Sequence, residues 1–120
     1  MNERAMTPAD GVLVLVTLVV SPTVADALID WLLQQPLIRG FSSHDGMDHG
    51  QDPQQFSVTE QVAGGRPRTF FSAVLPQAAL AAFLQDLRAD LAGTEVRYWA
   101  TPALAHGRLD DADPSRGAGP

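Results

Sequence analysis

Val12-Leu13-Val14-Leu15-Val16-Thr17-Leu18-Val19-Val20-Ser21-Pro22 decides the fold. β-Branched residues dominate the first nine positions and nothing alternates to polar. That pattern suits a strand covered on both faces or paired at an interface. Ser21 is a good N-cap, and Pro22 stands at the first helical position, where its missing N–H costs nothing. Strand therefore passes directly into helix. The same order recurs at Thr69-Phe70-Phe71-Ser72-Ala73-Val74-Leu75, again apolar on both faces and again followed by a proline, Pro76, that opens a helix. The chain uses one βαβ unit twice.

The remaining elements extend outward from these two strands. After Pro22, Val24, Leu28, Trp31, Leu32 and Gln35 recur at helical spacing, with Asp26 and Asp30 off the stripe, until Pro36 stops the helix. After Pro76, Leu80, Phe83, Leu84, Leu87 and Leu91 mark a second stripe, Asp86, Arg88 and Asp90 take the wet side, and Gly93 offers a C-cap. Leu37-Ile38-Arg39-Gly40-Phe41-Ser42 reads as a short second strand with Arg39 outward. Thr94-Glu95-Val96-Arg97-Tyr98-Trp99-Ala100-Thr101 reads as the fourth; Pro102 interrupts it, and Ala103-Leu104-Ala105-His106 resumes as an edge piece. Residues 1–10 are polar and read as a flexible N-terminus. Residues 109–120 are too polar to bury and read as a disordered tail. One domain fills residues 11–108.

Strand, helix, strand, strand, helix, strand is the ferredoxin-like α+β pattern, βαββαβ: an antiparallel four-stranded sheet with both helices on one face. The second face then lacks a helical cover, although residues 12–20 and 69–75 are apolar on both sides. An exposed apolar face of that extent implies association. A closed homo-oligomer is expected.

Composition narrows the function classes. A net charge of −6 and a pI near 4.7 argue against binding a nucleic-acid backbone, which needs a basic face. The absence of cysteine excludes disulfides, thiolate metal sites and cysteine nucleophiles. The apolar run at residues 12–20 is about half the 20 residues of a membrane span. Asn2-Glu3-Arg4 gives no net-positive leader before it. A cytoplasmic protein without membrane insertion is expected. No nucleophile elbow and no phosphate-binding glycine motif occurs, and the carboxylates are scattered. The chain does not read as an enzyme.

Function is expected in the longest segment without a strong helical or strand period, about residues 42–66. Loops longer than about 12–15 residues are uncommon in compact domains and are usually functional or disordered. It opens with His44-Asp45-Gly46-Met47-Asp48-His49. Imidazole suits zinc, copper, nickel and cobalt, and a carboxylate can complete such a site. Gly46 and Gly50 would let a short loop turn both rings toward one ion, making His44, Asp45, Asp48 and His49 the candidate ligands. The spacing matches no strong zinc motif, and a solvated polar loop explains the same residues. Residues 56–62 could add a brief strand or helical turn, and Ala63-Gly64-Gly65 a tight turn. Arg66, Arg68, Arg97 and Arg108 form the alternative site, for a nucleotide or other anion, if the fold gathers them. His106-Gly107-Arg108 reads as an edge residue at a chain exit, and Trp31, Tyr98 and Trp99 as core or interface aromatics.

Several stretches resemble a known family: Val16-Thr17-Leu18-Val19-Val20-Ser21-Pro22, Asp30-Trp31-Leu32-Leu33, Gly40-Phe41-Ser42-Ser43, Glu60-Gln61-Val62-Ala63-Gly64 and Val96-Arg97-Tyr98-Trp99-Ala100-Thr101-Pro102. That family comprises small bacterial proteins of unknown function grouped with the PII signalling proteins and the CutA-type divalent-cation tolerance proteins, often encoded beside heavy-metal efflux pumps. The resemblance spans about residues 12–109. It implies a PII-like homotrimer with the open sheet faces packed around a three-fold axis. Residues 42–66 would then correspond to the T-loop through which PII proteins touch partners. It also implies a regulatory role in metal homeostasis, through a metal ion or a partner such as a metal-efflux component. The chain departs from PII proteins after the second helix. Their glycine-rich phosphate loop is replaced here by Ala92-Gly93-Thr94, too short for a phosphate cradle and without lysine.

Overall fold

The computed structural model of the chain describes residues 11–50 and 65–110. The N-terminus expected to be flexible, the element expected at residues 56–62, residues 63–64 of the expected turn, and residues 111–120 of the expected tail lie outside them. The elements are β1 (Leu13–Val20), α1 (Ala25–Leu33), β2 (Phe41–Asp48), β3 (Arg66–Pro76), α2 (Leu80–Asp90) and β4 (Arg97–Ala103). The strands form one antiparallel sheet in the order β2-β3-β1-β4. This is the ferredoxin-like α+β fold expected from the doubled strand–proline–helix unit.

The two apolar strands are the central pair. On one face Val14, Val16, Leu18 and Val20 stand opposite Leu75, Ala73, Phe71 and Thr69, and all eight are buried. Leu28, Trp31 and Leu32 of α1 and Phe83 and Leu87 of α2 complete that core. Each fully buried large apolar side chain contributes about 1.5–3 kcal/mol, so this face carries most of the driving force. Both helices begin alike, through a 3₁₀ turn at Pro22–Val24 and another at Gln77–Ala79 after Pro76. Ser21 Oγ accepts from the Thr23 N–H, the cap expected from the sequence. Trp31 joins the helices: its ring meets Phe83 edge-on at 5.4 Å, and its Nε1–H donates to Asp90 Oδ2 at 2.8 Å. Gln35, expected on the same helical stripe, is half-buried and donates from Nε2 to the Trp31 carbonyl.

Two strands differ from expectation. β2 begins at Phe41 rather than Leu37 and runs on through His44-Asp45-Gly46-Met47-Asp48, a stretch expected to open a loop. Asp and Gly are poor strand formers. What holds this segment extended is its ladder to β3, which continues from Asp45↔Thr69 through Gly46↔Arg68 and Met47↔Pro67 to Asp48↔Arg66. β1 ends at Val20, opposite Thr69, so the last three rungs form a two-stranded ribbon beyond the sheet. β4 begins at Arg97 and passes through Pro102, which faces Val14, instead of breaking there. As an edge strand it can turn a proline's missing donor away from the ladder.

The second sheet face carries no helix. Leu13 and Val19 are nevertheless buried within the subunit, while Leu15 and Trp99 remain partly exposed there. Among the described residues no helix is long and apolar enough to cross a membrane.

Candidate functional site

Strand alternation sorts the ribbon's side chains. His44, Gly46 and Asp48 lie on the open face, in register with Phe70, Arg68 and Arg66 of β3. The His44–Phe70 row continues through Val19 of β1 to Arg97 of β4. Asp45 and Met47 take the opposite side by the same period of two.

Phe70 organises this face. Its ring stacks on the His44 imidazole, with centroids 5.1 Å apart and planes 10° from parallel. It also covers Gly46: a Cβ there would stand 2.8 Å from Phe70 Cε1. Glycine lets the aromatic from the neighbouring strand close over the backbone, the arrangement in which an aromatic shields a glycine in a sheet. Gly65, just before β3, is needed for a similar reason. A Cβ there would meet the Asp48 carbonyl oxygen and His49 Nδ1, each at 2.8 Å.

Arg97 ties β4 to the ribbon. Its Nη2 donates to Asp48 Oδ1 at 2.6 Å, and its guanidinium carbon lies 5.5 Å from the Trp99 ring centroid. Three strand spacings and four residues of rise would put these two Cα atoms about 19 Å apart in a flat sheet. The ribbon therefore coils over the open face toward β4, in keeping with the strong twist of two-stranded ribbons. The pair itself adds little stability, because the Arg97 side chain is 54% exposed. Its consequence is positional, since it fixes where the ribbon stands.

The predicted site residues separate into groups. Arg66, Arg68 and Arg97 share the open face with His44 and Asp48, and Arg97 pairs with Asp48. Arg68 also donates from Nη1 to the Pro67 carbonyl. Arg108 stands apart, beyond the far end of β4, with its Nε 3.1 Å from Asp110 Oδ1. Of the metal candidates, Asp45 is turned away from His44 and Asp48, and His49 follows the end of β2. His44 and Asp48 are four residues apart on one strand, about 13 Å between Cα atoms, too far to share one ion whose ligands sit about 2.0–2.2 Å from it. Among the described residues no group of three or more His, Asp or Glu could hold a metal ion. The roles of Gly46, Gly65 and Phe70 went unread in the sequence. The available signal was a glycine inside H-D-G-M-D, a stretch that becomes a strand only beside T-F-F.

On the helix side, the end of α2 and the start of β4 leave a groove of about 240 Å³, lined chiefly by Leu84, Leu87, Leu91, Val96 and Tyr98, with Arg88 and Glu95. The turn between those elements uses positive φ at Gly93 (82°) and Glu95 (55°).

Two solved structures share this architecture. CPII, a nitrogen regulatory PII-like protein from Thiomonas intermedia K12 bound to ADP, AMP and bicarbonate, is similar with a TM-score of 0.59 and 10% identity, over 88% of this chain and 98% of that one. A DUF3240 family protein from Shewanella baltica OS155 is similar with a TM-score of 0.67 and 24% identity, over 81% of this chain and 96% of that one. These are likenesses of fold. No curated protein matches the chain. Residues 11–110 match the family model described as "Protein of unknown function (DUF3240)", and the chain belongs to that family.

Proposed function

We propose that this DUF3240 chain is a non-enzymatic PII-like regulatory subunit, working as a homotrimer, that senses a small anion on its open sheet face. The observation that supports this is the placement of Arg66, Arg68, Arg97 and His44 on one face of the sheet, with Arg97 paired to Asp48, in a chain whose net charge is −6. Guanidinium forks match the paired oxygens of carboxylate, carbonate and phosphate groups. An anion bound there would compete with Asp48 for Arg97 and so release the ribbon from β4. That gives binding a mechanical output without any bond being made or broken. The CPII neighbour was solved with ADP, AMP and bicarbonate, so those are the anions to try first. In a trimer, neighbouring subunits would cover Leu15 and Trp99 and bring the ribbons together.

A second reading keeps metal homeostasis as the setting. It starts from the two histidines, His44 within β2 and His49 just past its end, because Asp45 faces away and His44 and Asp48 stand too far apart to share one ion within a subunit. Zinc, copper, nickel or cobalt would bind there with a residue from another subunit, and the ribbon would present the result to a partner such as a metal-efflux component.

Thermal-shift screening separates the two, because only a ligand of the native state raises the melting point by mass action. Stabilisation by AMP, ADP or bicarbonate, absent in Arg66→Ala/Arg68→Ala, is expected. Stabilisation by a metal alone, absent in His44→Ala/His49→Ala, would replace the anion reading with the second.

A further inference from the structure

Arg97 differs from the other two arginines of the open face. Arg66 and Arg68 belong to the ribbon and travel with it, whereas Arg97 stands on β4 and stays with the sheet when the ribbon leaves. Asp48 Oδ1 accepts from its Nη2 at 2.6 Å, and an incoming anion must take that carboxylate's place. A half-exposed arginine released in this way would regain its rotamer freedom and lose its direction. β4 is an edge strand, so one residue flanks Arg97 in register, Val19, whose side chain has no polar atom to orient a guanidinium. Trp99 supplies what is missing. Two residues on along β4, it lies on the same face by the period of two. The Arg97 guanidinium carbon lies over its ring, 5.5 Å from the centroid. That is inside the roughly 6 Å at which a ring face attracts a cation, and tryptophan is the strongest aromatic for this contact.

We propose that Trp99 is the positioning residue of the anion site: its indole face carries the Arg97 guanidinium and keeps it at the open face after a ligand has displaced Asp48. This rests on the anion reading above and gives that site its fixed part. Without ligand, the guanidinium meets both the ring and Asp48. With ligand, the ring contact persists and the donor freed from Asp48 turns to the anion's oxygens. The other tryptophan lies elsewhere, because Trp31 is buried between the helices against Phe83.

Titration calorimetry with AMP, ADP and bicarbonate compares the wild type, Trp99→Phe and Trp99→Leu. Each substitution is repeated in an Arg97→Ala background, because Trp99 also faces the proposed subunit contact. Loss of a cation–π contact at a half-exposed site should raise the dissociation constant about two- to fivefold in Trp99→Leu. Phenylalanine keeps a ring face and should restore part of the affinity. In Arg97→Ala the same substitutions should change nothing further, the non-additivity that marks a contact between the two residues. Equal affinities in the wild type and Trp99→Leu overturn the role. So does a loss of the same size with and without Arg97, which would place Trp99 in assembly or against the ligand itself. A wild type that binds none of the three overturns the anion site, and this role with it. The contact is also checked without ligand. In Trp31→Phe, Trp99 is the sole indole of the chain, and adding Arg97→Ala should shift its emission; an unchanged spectrum overturns the contact.

Discussion

Gly46→Ala probes how the ribbon is bound to the sheet. The added Cβ would stand 2.8 Å from Phe70 Cε1 and 3.1 Å from Cδ1. The ring must therefore tilt, against its stacking on His44. Overpacking of this kind costs about 1–3 kcal/mol. Alanine opposes that loss by about 0.4–1 kcal/mol, because it narrows the unfolded ensemble wherever the native backbone accepts it. Gly46 does lie in extended strand without positive φ. The net expectation is a destabilisation of about 1–2 kcal/mol. Urea unfolding at one fixed protein concentration measures it, with assembly contributing equally to each curve. In a Phe70→Ala background the obstacle is gone, and the same substitution should be neutral or stabilising. A penalty of equal size in both backgrounds, or none in either, would refute the packing of Phe70 over Gly46.

Other substitutions test the remaining links. Leu28→Ala empties a site that no solvent reaches and should cost about 2–5 kcal/mol in chemical denaturation. Trp31→Phe keeps the edge contact with Phe83 but removes the donor to Asp90, for a loss of about 1–2 kcal/mol; an unchanged midpoint would show that the indole–carboxylate link does not hold the helices. Arg97→Ala breaks a pair that is half in solvent, so stability should change by less than about 1 kcal/mol. Anion affinity, in contrast, should fall about tenfold or more, the equivalent of one charged hydrogen bond.

The central strands and both helices were legible because their signals are local. An unbroken β-branched run, a capping serine, a proline at the first helical position and a 3.6-residue stripe each act within a few residues. β2 was legible only at its start. His44-Asp45-Gly46-Met47-Asp48 has little strand preference of its own, and its conformation is imposed by β3 across the ladder, a pairing that no local window contains. Pro102 misled for a related reason. A proline breaks a central strand, but β4 is an edge, and edge position is a property of the whole sheet. The site followed the same rule. Its residue types were visible, whereas the grouping of Arg66, Arg68 and Arg97 with His44, and the departure of Asp45 from them, depend on strand parity and register, and Arg108 departs because β4 ends before it. A one-residue slip of any one of these strands would have turned its side chains to the other face.

Titration calorimetry of AMP, ADP and bicarbonate against the wild type and Arg66→Ala/Arg68→Ala tests the open-face anion site most directly. The proposed site predicts saturable heat with at least one of these anions in the wild type and none in the double variant. Flat titrations with all three, together with saturable heat from zinc, copper, nickel or cobalt that vanishes in His44→Ala/His49→Ala, would contradict it.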